Sequence, residues 1–298
     1  MIDLGGAADV VFTQGPLANR VAQVDERART FGADVLVSIS DEAVLHSHLP
    51  IPKVERASIL RAYRQKSLLQ YDLPHHGVVA LVAQTPRLAA LLRQSPRALP
   101  PIHVIEPWVE QLGDPRQVPG SPFTVTAVGR DVRVKNLEAI AELARRTPNL
   151  RFEICTPIAR APKQSHPSNL SLRETPSRGA VLEALRDADA YITLTQREGL
   201  SNATLDALAL GLPLILTDGD EWAYFHGGAA MVWESWASSP TAEAYDITLR
   251  QIGDELTTLA TSPSLYASMS DAAIRTAATF TYQRYRSRWS RVLKGAIT

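Results

Sequence analysis

Two carboxylates, Glu198 and Asp206, lie eight residues apart in a segment with the sequence REGLSNATLDALALGLPLILTD. Glu198 follows a predicted strand, and Asp206 lies about two turns into the helix predicted after it. Gly199 allows close approach of the backbone, and Ser201 or Asn202 can cap the helix. The N–H groups at the start of that helix favour an anion, whereas a carboxylate accepts hydrogen bonds from neutral hydroxyls. The segment is suited to sugar or ribose hydroxyls beside an anion; a first-turn helix acid and a surface acid are the alternative.

A second polar loop, with the sequence VGRDVRVKN, also follows a predicted strand and precedes a predicted helix. It carries Arg130 and Lys135 after Gly129, and Asn136 is placed to cap the helix. Two cations beside a helix N-terminus, at the carboxyl edge of a parallel strand, suit a phosphate or pyrophosphate. Arginine supplies a bidentate fork and lysine a compact charge. A solvated basic loop is the alternative.

The composition is that of a soluble globular protein long enough for two domains, with 298 residues, 45% of them apolar and 21% charged. Because 31 basic residues balance 31 acidic ones, no overall field recruits nucleic acid or an anionic membrane. The single cysteine, Cys155, excludes an internal disulfide and a Cys-based zinc site, and we predict an inert core thiol. No signal peptide and no apolar run of about 18 residues is recognisable, so we expect a cytoplasmic protein.

Short β-rich runs alternate with amphipathic helical patterns, which predicts parallel sheets covered by helices. Four strands are predicted in the amino-terminal part: DVVFTQ (Asp9 to Gln14), DVLVSIS (Asp34 to Ser40), VVALVA (Val78 to Ala83) and IHVI (Ile102 to Ile105). A second alternation begins at FTVTAVG and continues through RFEIC, NLSL, AYITLT and LPLILT. Between them, Glu106 to Pro122 carries four prolines and two glycines and shows no period, which indicates an interdomain linker.

The phrase EGLSNATLDALALGLPLI resembles the donor-site motif of the retaining GT-B glycosyltransferases of family 4, the "glycosyl transferases group 1" family. In that motif, two acids separated by seven residues lie in a phrase like EGxxNxxLEAxAxGxPVI. The agreement includes Gly199, Asn202, Leu205, Ala207, Ala209, Gly211 and Pro213. VGRDVRVKN is similar to the family's GR-x4-K loop, and the resemblance covers about Phe123 to Trp233. Asp206 departs from it, because the family usually has glutamate there.

The resemblance implies an α/β fold of two Rossmann-like domains facing a cleft, the GT-B fold. It also implies that Arg130 and Lys135 hold the diphosphate of a nucleotide-sugar. Glu198 would take hydroxyls of the transferred sugar, and Asp206 the ribose hydroxyls. The other donor-binding residues that it implies are Gly129, Arg173, Thr195, Gly199, Leu200, Ser201 and Asn202. Arg130, Lys135 and Glu198 would then be the catalytic residues. Transfer with retention would rest on electrostatic stabilisation of the leaving diphosphate, without a metal or other cofactor.

By the same resemblance, residues 1–108 are a reduced acceptor-side domain, residues 109–275 bind the donor, and residues 276–298 form a helix that returns to the first domain. The amino-terminal part matches the family poorly, since the opening strand and glycine-rich loop have no counterpart. Its histidines are candidates to face the transferred sugar or are plain surface histidines: His46, His48, His75 and His76.

Several alternatives remain open at the level of sequence. The donor would be a UDP-, GDP- or similar sugar, and the acceptor could be a lipid, glycan, metabolite, protein or nucleic acid. A non-catalytic nucleotide-sugar-binding subunit and a GT-B-type sugar epimerase are the alternative functions. The carboxy-terminal YQRYRSRWSRVLK is predicted to be the returning helix, with a weak membrane-surface or nucleic-acid contact as alternatives.

Two acidic triplets invite a metal interpretation, Asp187 to Asp189 at a predicted helix end and Asp218 to Asp220 in a predicted turn. Acids at the first of these positions, a helix end before a buried strand, are routinely solvated, and the fold that the resemblance implies generally needs no metal for catalysis. We therefore expect no metal site.

Overall fold

A computed structural model describes residues 16–39, 47–56, 77–95, 98–129, 135–157, 167–196, 198–234 and 242–297. The chain divides into two compact units. The first unit consists of Met1–Trp108 together with Thr281–Thr298, and the second of Val109–Phe280. In the described parts of the chain, no helix has both the length and the apolar character needed to cross a membrane.

The described residues of the first unit form a four-stranded parallel sheet in the order β1-β2-β3-β4. Its strands are β1 (Leu36–Ile39), β2 (Lys53–Arg56), β3 (Val78–Ala83) and β4 (Ile102–Val104). Its helices are α1 (Leu17–Phe31), α2 (Pro86–Arg93) and α8 (Tyr282–Ile297). Strands β1, β3 and β4 confirm the predictions, whereas the strand predicted for Asp9 to Gln14 lies outside the described residues.

Strand β2 was not predicted, because the sequence KVER shows no apolar alternation. In the structure both Lys53 and Glu55 are 2% exposed, although they are charged. Burial lowers the pKa of Lys53, while the nearby charge of Asp25 opposes that effect. A strand that buries its ionisable side chains has no signature in a hydropathy pattern.

Helix α8 packs on the sheet of the first unit. Trp289, Val292 and Ala296 lie on one face of the helix and join a buried cluster with Val54 and Val82. The basic residues of the tail thus belong to a helix whose other face is buried. Whether its exposed face also contacts a membrane or nucleic acid stays a prediction.

The described residues of the second unit form a six-stranded parallel sheet in the order β10-β9-β8-β5-β6-β7. Its strands are β5 (Thr124–Val128), β6 (Arg151–Thr156), β7 (Leu170–Glu174), β8 (Ala190–Thr193), β9 (Leu214–Thr217) and β10 (Ala230–Trp233). Its helices are α3 (Leu137–Arg146), α4 (Arg178–Asp187), α5 (Asn202–Ala209), α6 (Ala242–Thr261) and α7 (Pro263–Ala277), and a short 3-10 helix spans Glu221–Tyr224. Counted along the chain from β5, this is the 3-2-1-4-5-6 order of dinucleotide-binding sheets.

The core of the second unit follows the predicted pattern. Strands β8 and β9 are buried at every residue, as expected for parallel strands covered on both faces. Ile140 and Ala144 are buried on one face of α3, as expected for an amphipathic helix that covers a sheet. Cys155 is a buried free thiol in β6, and burial raises its pKa to about 12, which confirms an inert core residue.

The predicted linker packs, from Val109 onward, along the second unit without forming a helix or strand. The Val109 amide donates to the Phe280 carbonyl over 3.0 Å. The Asp189 carboxylate accepts from the amides of Gly120 at 2.7 Å and Thr124 at 2.8 Å. Asp189 is 8% exposed, so the expectation that this triplet is solvated is wrong at that residue.

We expect Asp189→Ala to lower the free energy of unfolding by about 2–4 kcal/mol, because two backbone amides would lose their acceptor. Asp187→Ala is the matched control two residues away, since the Asp187 side chain is 70% exposed and pairs with Arg173. Its cost should stay below about 1 kcal/mol. Urea denaturation measures both, and equal losses would contradict the structural role of Asp189.

Candidate functional site

Two loops leave the carboxyl edge of the second sheet where its strand order reverses. One begins at Gly129 after β5 and ends with Lys135 and Asn136 before α3, and the other begins at Leu194 after β8 and ends with Ser201 before α5, with residues 130–134 and 197 outside the described part of the chain. Strands β5 and β8 are neighbours, while α3 leads outward to β6 and α5 leads in the opposite direction to β9. In open α/β sheets, the crevice at such a reversal is the usual ligand site. The two segments with candidate residues therefore emerge side by side.

An ion pair joins these two loops, between Lys135 Nζ and Glu198 Oε2. Their side chains are 19% and 21% exposed, so the pair is mostly shielded from water. Gly129 leaves room for the lysine, because a Cβ at this glycine would lie 3.3 Å from the Lys135 Cδ. Arg130, the second predicted cation, lies outside the described residues.

Asn136 occupies the N-cap position of α3, but its side chain makes no capping hydrogen bond. Its backbone is left-handed, with φ 51° and ψ 44°, instead of the extended conformation typical of a cap. Asparagine tolerates this region better than most residues. The predicted side-chain cap is therefore wrong, and the Asn136 side chain does not occupy the first amides of α3.

The start of α5 confirms the alternative in which Ser201 is the cap. The Ser201 Oγ accepts from the Thr204 amide at 3.5 Å, while Asn202, the first helical residue, is exposed. Within the described part of the chain, the amides of Gly199, Leu200 and Ser201 have no hydrogen-bond acceptor. Amides at the positive end of a helix can bind an anion.

The loop that carries Glu198 rests on a tight turn after β9. The Glu198 amide donates to the Gly219 carbonyl at 2.6 Å, and the Thr217 Oγ1 donates to the Thr195 carbonyl at 2.5 Å. A Cβ on Gly219 would lie 2.5 Å from the carbonyl oxygens of Thr195 and Gln196, so a larger residue would push the two loops apart. Thr195 is completely buried in this arrangement.

Asp220 lies directly behind the same loop and is completely buried. Its carboxylate accepts from Thr204 Oγ1 at 3.1 Å and from the Trp222 amide at 2.9 Å. The Trp222 indole N–H in turn donates to the Ser201 carbonyl over 2.8 Å. Burial, together with the negative charge of Glu198, raises the pKa of Asp220 to about 7, although the hydrogen bond from Trp222 opposes the shift.

Asp206 is buried inside α5, which excludes the alternative that it is a surface acid. Arg178 holds it with two hydrogen bonds, from Nη2 to Oδ1 at 2.7 Å and from Nε to Oδ2 at 3.2 Å. Arg178 is the first residue of α4, after the N-cap Ser177. Arg178 was not among the predicted site residues, and its signal in the sequence was an arginine directly after a capping serine, at the start of the helix that follows β7.

Arg173 lies apart from this pair. Its guanidinium pairs with Asp187 at 2.9 Å and with Glu153 at 3.6 Å. Asp187 is the last residue of α4, whereas Arg178 is the first, and a ten-residue helix is about 15 Å long. The structure therefore brings together Lys135, Glu198 and the start of α5 but directs Arg173 towards the far end of α4.

Two further predictions concern the histidines of the first unit and the absence of a metal site. His48 is exposed, whereas His46, His75 and His76 lie outside the described residues. Across the described ranges, no group of three or more histidine, cysteine or acidic side chains could hold a metal ion.

No protein-family model matches the sequence. No curated protein matches it either. Solved structures do resemble the fold. HepE from Anabaena, solved with UDP-glucose, has a TM-score of 0.73 at 13% identity, over 96% of this chain and 85% of that one. Sucrose-phosphate synthase from Thermosynechococcus elongatus has a TM-score of 0.73 at 11% identity, over 94% and 77% of the two chains.

The pneumococcal O-GlcNAc transferase GtfA, solved with UDP and GlcNAc, has a TM-score of 0.68 at 15% identity and is matched over 94% of this chain. These neighbours are GT-B glycosyltransferases. The chain has the GT-B fold. It spans 60% of the length of GtfA, and likeness at this identity shows the fold alone.

Within this GT-B chain, Asp220 makes stability depend on pH. Its pKa of about 7 in the folded protein exceeds the 3.8 typical of an exposed aspartate, so the folded state holds the proton more tightly. The contribution of protonated Asp220 to the free energy of unfolding is therefore complete below about pH 4 and is lost as the pH rises through about 7. We expect the free energy of unfolding of Asp220→Asn to increase relative to that of wild type as the pH rises from 5 to 8.

Urea unfolding at each pH measures this difference. Asp218→Asn, in the same turn, is the control for the effect of replacing an aspartate by asparagine in this segment. A difference between Asp220→Asn and wild type that stays constant with pH would show that Asp220 does not titrate in this range.

Proposed function

We propose that this chain is a glycosyltransferase of the family 4 type, which transfers a sugar from a nucleoside-diphosphate sugar to an acceptor hydroxyl with retention of configuration. The observation that carries the proposal is the Lys135–Glu198 pair between the loops after β5 and β8. The bond to be broken in such a donor joins a phosphate to a sugar. Lys135 is suited to bind the phosphate and Glu198 to bind sugar hydroxyls, and the two side chains are in direct contact. A donor bound here would therefore have its phosphate and its sugar on the two sides of the bond to be broken.

Electrostatic stabilisation of the leaving group is the proposed basis of catalysis. As the sugar–phosphate bond breaks, negative charge grows on the diphosphate. Lys135 and the amides of Gly199, Leu200 and Ser201 at the start of α5 would offset this charge. Arg130 is proposed as the second cation. With these fixed groups in place, we propose that transfer proceeds without a metal.

Donor binding rearranges the Lys135–Glu198 pair. Lys135 would exchange the carboxylate for a phosphate oxygen, and Glu198 would turn to hydroxyls of the transferred sugar. In such an exchange the lysine stays close to a negative group throughout, and the carboxylate accepts hydrogen bonds from hydroxyls in place of the ammonium. The pair would thus hold both side chains in the site before the donor arrives.

The neighbours support a uridine nucleotide as the first donor to test. HepE was solved with UDP-glucose, GtfA with UDP and GlcNAc, and TarM from S. aureus with UDP and α-GlcNAc-glycerol. The proposal assigns the donor to residues 109–275 and acceptor recognition to residues 1–108.

We expect Lys135→Ala to weaken the binding of UDP by about 10- to 100-fold, because a charge-assisted contact with the diphosphate is lost. Titration calorimetry measures the change. Lys294→Ala, on α8 of the first unit, should bind UDP like wild type. Wild-type affinity in Lys135→Ala would remove the lysine from the donor site.

Glu198→Gln tests the sugar end of the site. We expect UDP to bind as well as to wild type or better, because a carboxylate beside the diphosphate is removed. UDP-glucose should no longer bind more tightly than UDP, because the hydrogen bonds to the sugar are lost. The rate of sugar transfer or donor hydrolysis should fall at least about 100-fold.

Glu183→Gln, at an exposed position of α4, is the control and should behave as wild type. If wild type binds UDP-sugars but neither transfers nor hydrolyses them, the chain is a binding subunit instead of an enzyme. If Glu198→Gln retains full turnover, Glu198 has no part in sugar recognition.

A further inference from the structure

Arg178 and Asp206 form a pair that presents an arginine to the solvent and keeps its acid inside. The Asp206 side chain is 4% exposed, whereas the Arg178 side chain is 63% exposed. Both carboxylate oxygens accept from Arg178, through its Nε and Nη2. Any ligand that reaches this pair therefore meets the guanidinium first.

One edge of that guanidinium remains available. Among the residues that the structure describes, Arg178 Nη1 has no hydrogen-bond partner. The bidentate contact with Asp206 fixes the plane of the guanidinium, so the Nη1 hydrogens have a defined direction. A fixed, outward-facing donor differs from a typical surface arginine, which samples many rotamers.

The position of the pair matches the nucleoside part of a donor held at the strand-order reversal. Helix α4 follows the carboxyl end of β7 and packs against α5 and β5, so its first residue, Arg178, lies at the carboxyl edge of the sheet. Asp206 is four residues after the start of α5, which is about 6 Å along the helix axis. The pair is thus about one turn, and not the predicted two turns, behind the helix end proposed to bind the diphosphate.

The charge of the pair favours a neutral ligand group over a phosphate. The buried carboxylate neutralises the guanidinium, and Glu110 adds a further negative charge nearby. A neutral pair with two outward N–H donors suits the oxygen of a hydroxyl. A phosphate is better served by Lys135 and the start of α5, where positive charge is concentrated.

We propose that Arg178, held in place by Asp206, donates through Nη1 to a ribose hydroxyl oxygen of the donor nucleotide and makes the site selective for ribonucleotides. The inference rests on the proposed function, since it needs a nucleoside diphosphate in the site. Asp206 then acts as a positioning residue, and its short side chain leaves space for the arginine. Asp206, which the resemblance assigns to the ribose hydroxyls, would thus act on the ribose through Arg178 instead of contacting it directly.

Titration calorimetry with UDP, GDP and ADP identifies the preferred nucleotide, and its 2′-deoxy and 3′-deoxy analogues then measure selectivity for the ribose hydroxyls. We expect wild type to bind the ribonucleotide about tenfold or more tightly than at least one deoxy analogue. Arg178→Ala should bind the ribonucleotide correspondingly less tightly, so that the ratio of its affinities for the ribonucleotide and the deoxy analogue is close to one. Arg178→Lys keeps a charge beside Asp206 but lacks the fork, so it should fold and also lose the ratio.

Arg186→Ala, on the exposed far end of the same helix, is the control and should keep the wild-type ratio. If Arg178→Lys and Arg178→Ala keep the ratio while Asp206→Asn loses it, Asp206 contacts the ribose itself and the inference is wrong. An equal weakening of ribo- and deoxynucleotides in the arginine variants also overturns it. If wild type binds none of the three nucleotides, the proposed function fails, a result distinct from an unchanged ratio.

Discussion

The adjacency of β5 and β8 is the constraint on which the candidate site depends. The helices that follow these two strands lead to opposite sides of the sheet, so the loops after them meet without a helix between them. Lys135 comes from one loop and Glu198 from the other, and their contact follows from this single feature of strand order. The amides at the start of α5 enter the same crevice because parallel strands place every following helix N-terminus at the same edge.

Buried polar groups beneath the crevice hold the second loop in place. Gly219 lets the turn after β9 approach the loop backbone, and Asp220 ties the turn to α5 through Thr204. Burying a carboxyl group is unfavourable for stability, and the raised pKa of Asp220 expresses that cost. A protein retains such a group where a fixed geometry matters more than maximal stability, which is the usual situation at a functional site.

Opposite charges are matched within the site before any ligand binds. Lys135 faces Glu198, and Arg178 faces Asp206. The two pairs differ in character, since both partners of the first are partly exposed while the second buries its acid and exposes its cation. Under the proposed function, the first pair is therefore suited to exchange partners with a nucleotide-sugar, and the second to act as a fixed hydrogen-bond donor. This difference follows from burial, because separating a buried carboxylate from its cation leaves an unpaired buried charge, which costs much more free energy than it does at an exposed pair.

The sequence by itself determined the parts of this protein that depend on local pattern. Apolar runs predicted eight of the ten described strands in outline, such as β3 and β9, and Ser201, the cap of α5, was one of two predicted candidates. The tertiary structure decided everything that depends on strand order and burial. Lys135 and Glu198 are 63 residues apart, and Arg178 and Asp206 are 28 apart, so no periodicity could pair them. Strand β2 and Asp220 escaped prediction for the related reason that charged side chains indicate exposure unless the surrounding fold supplies their partners.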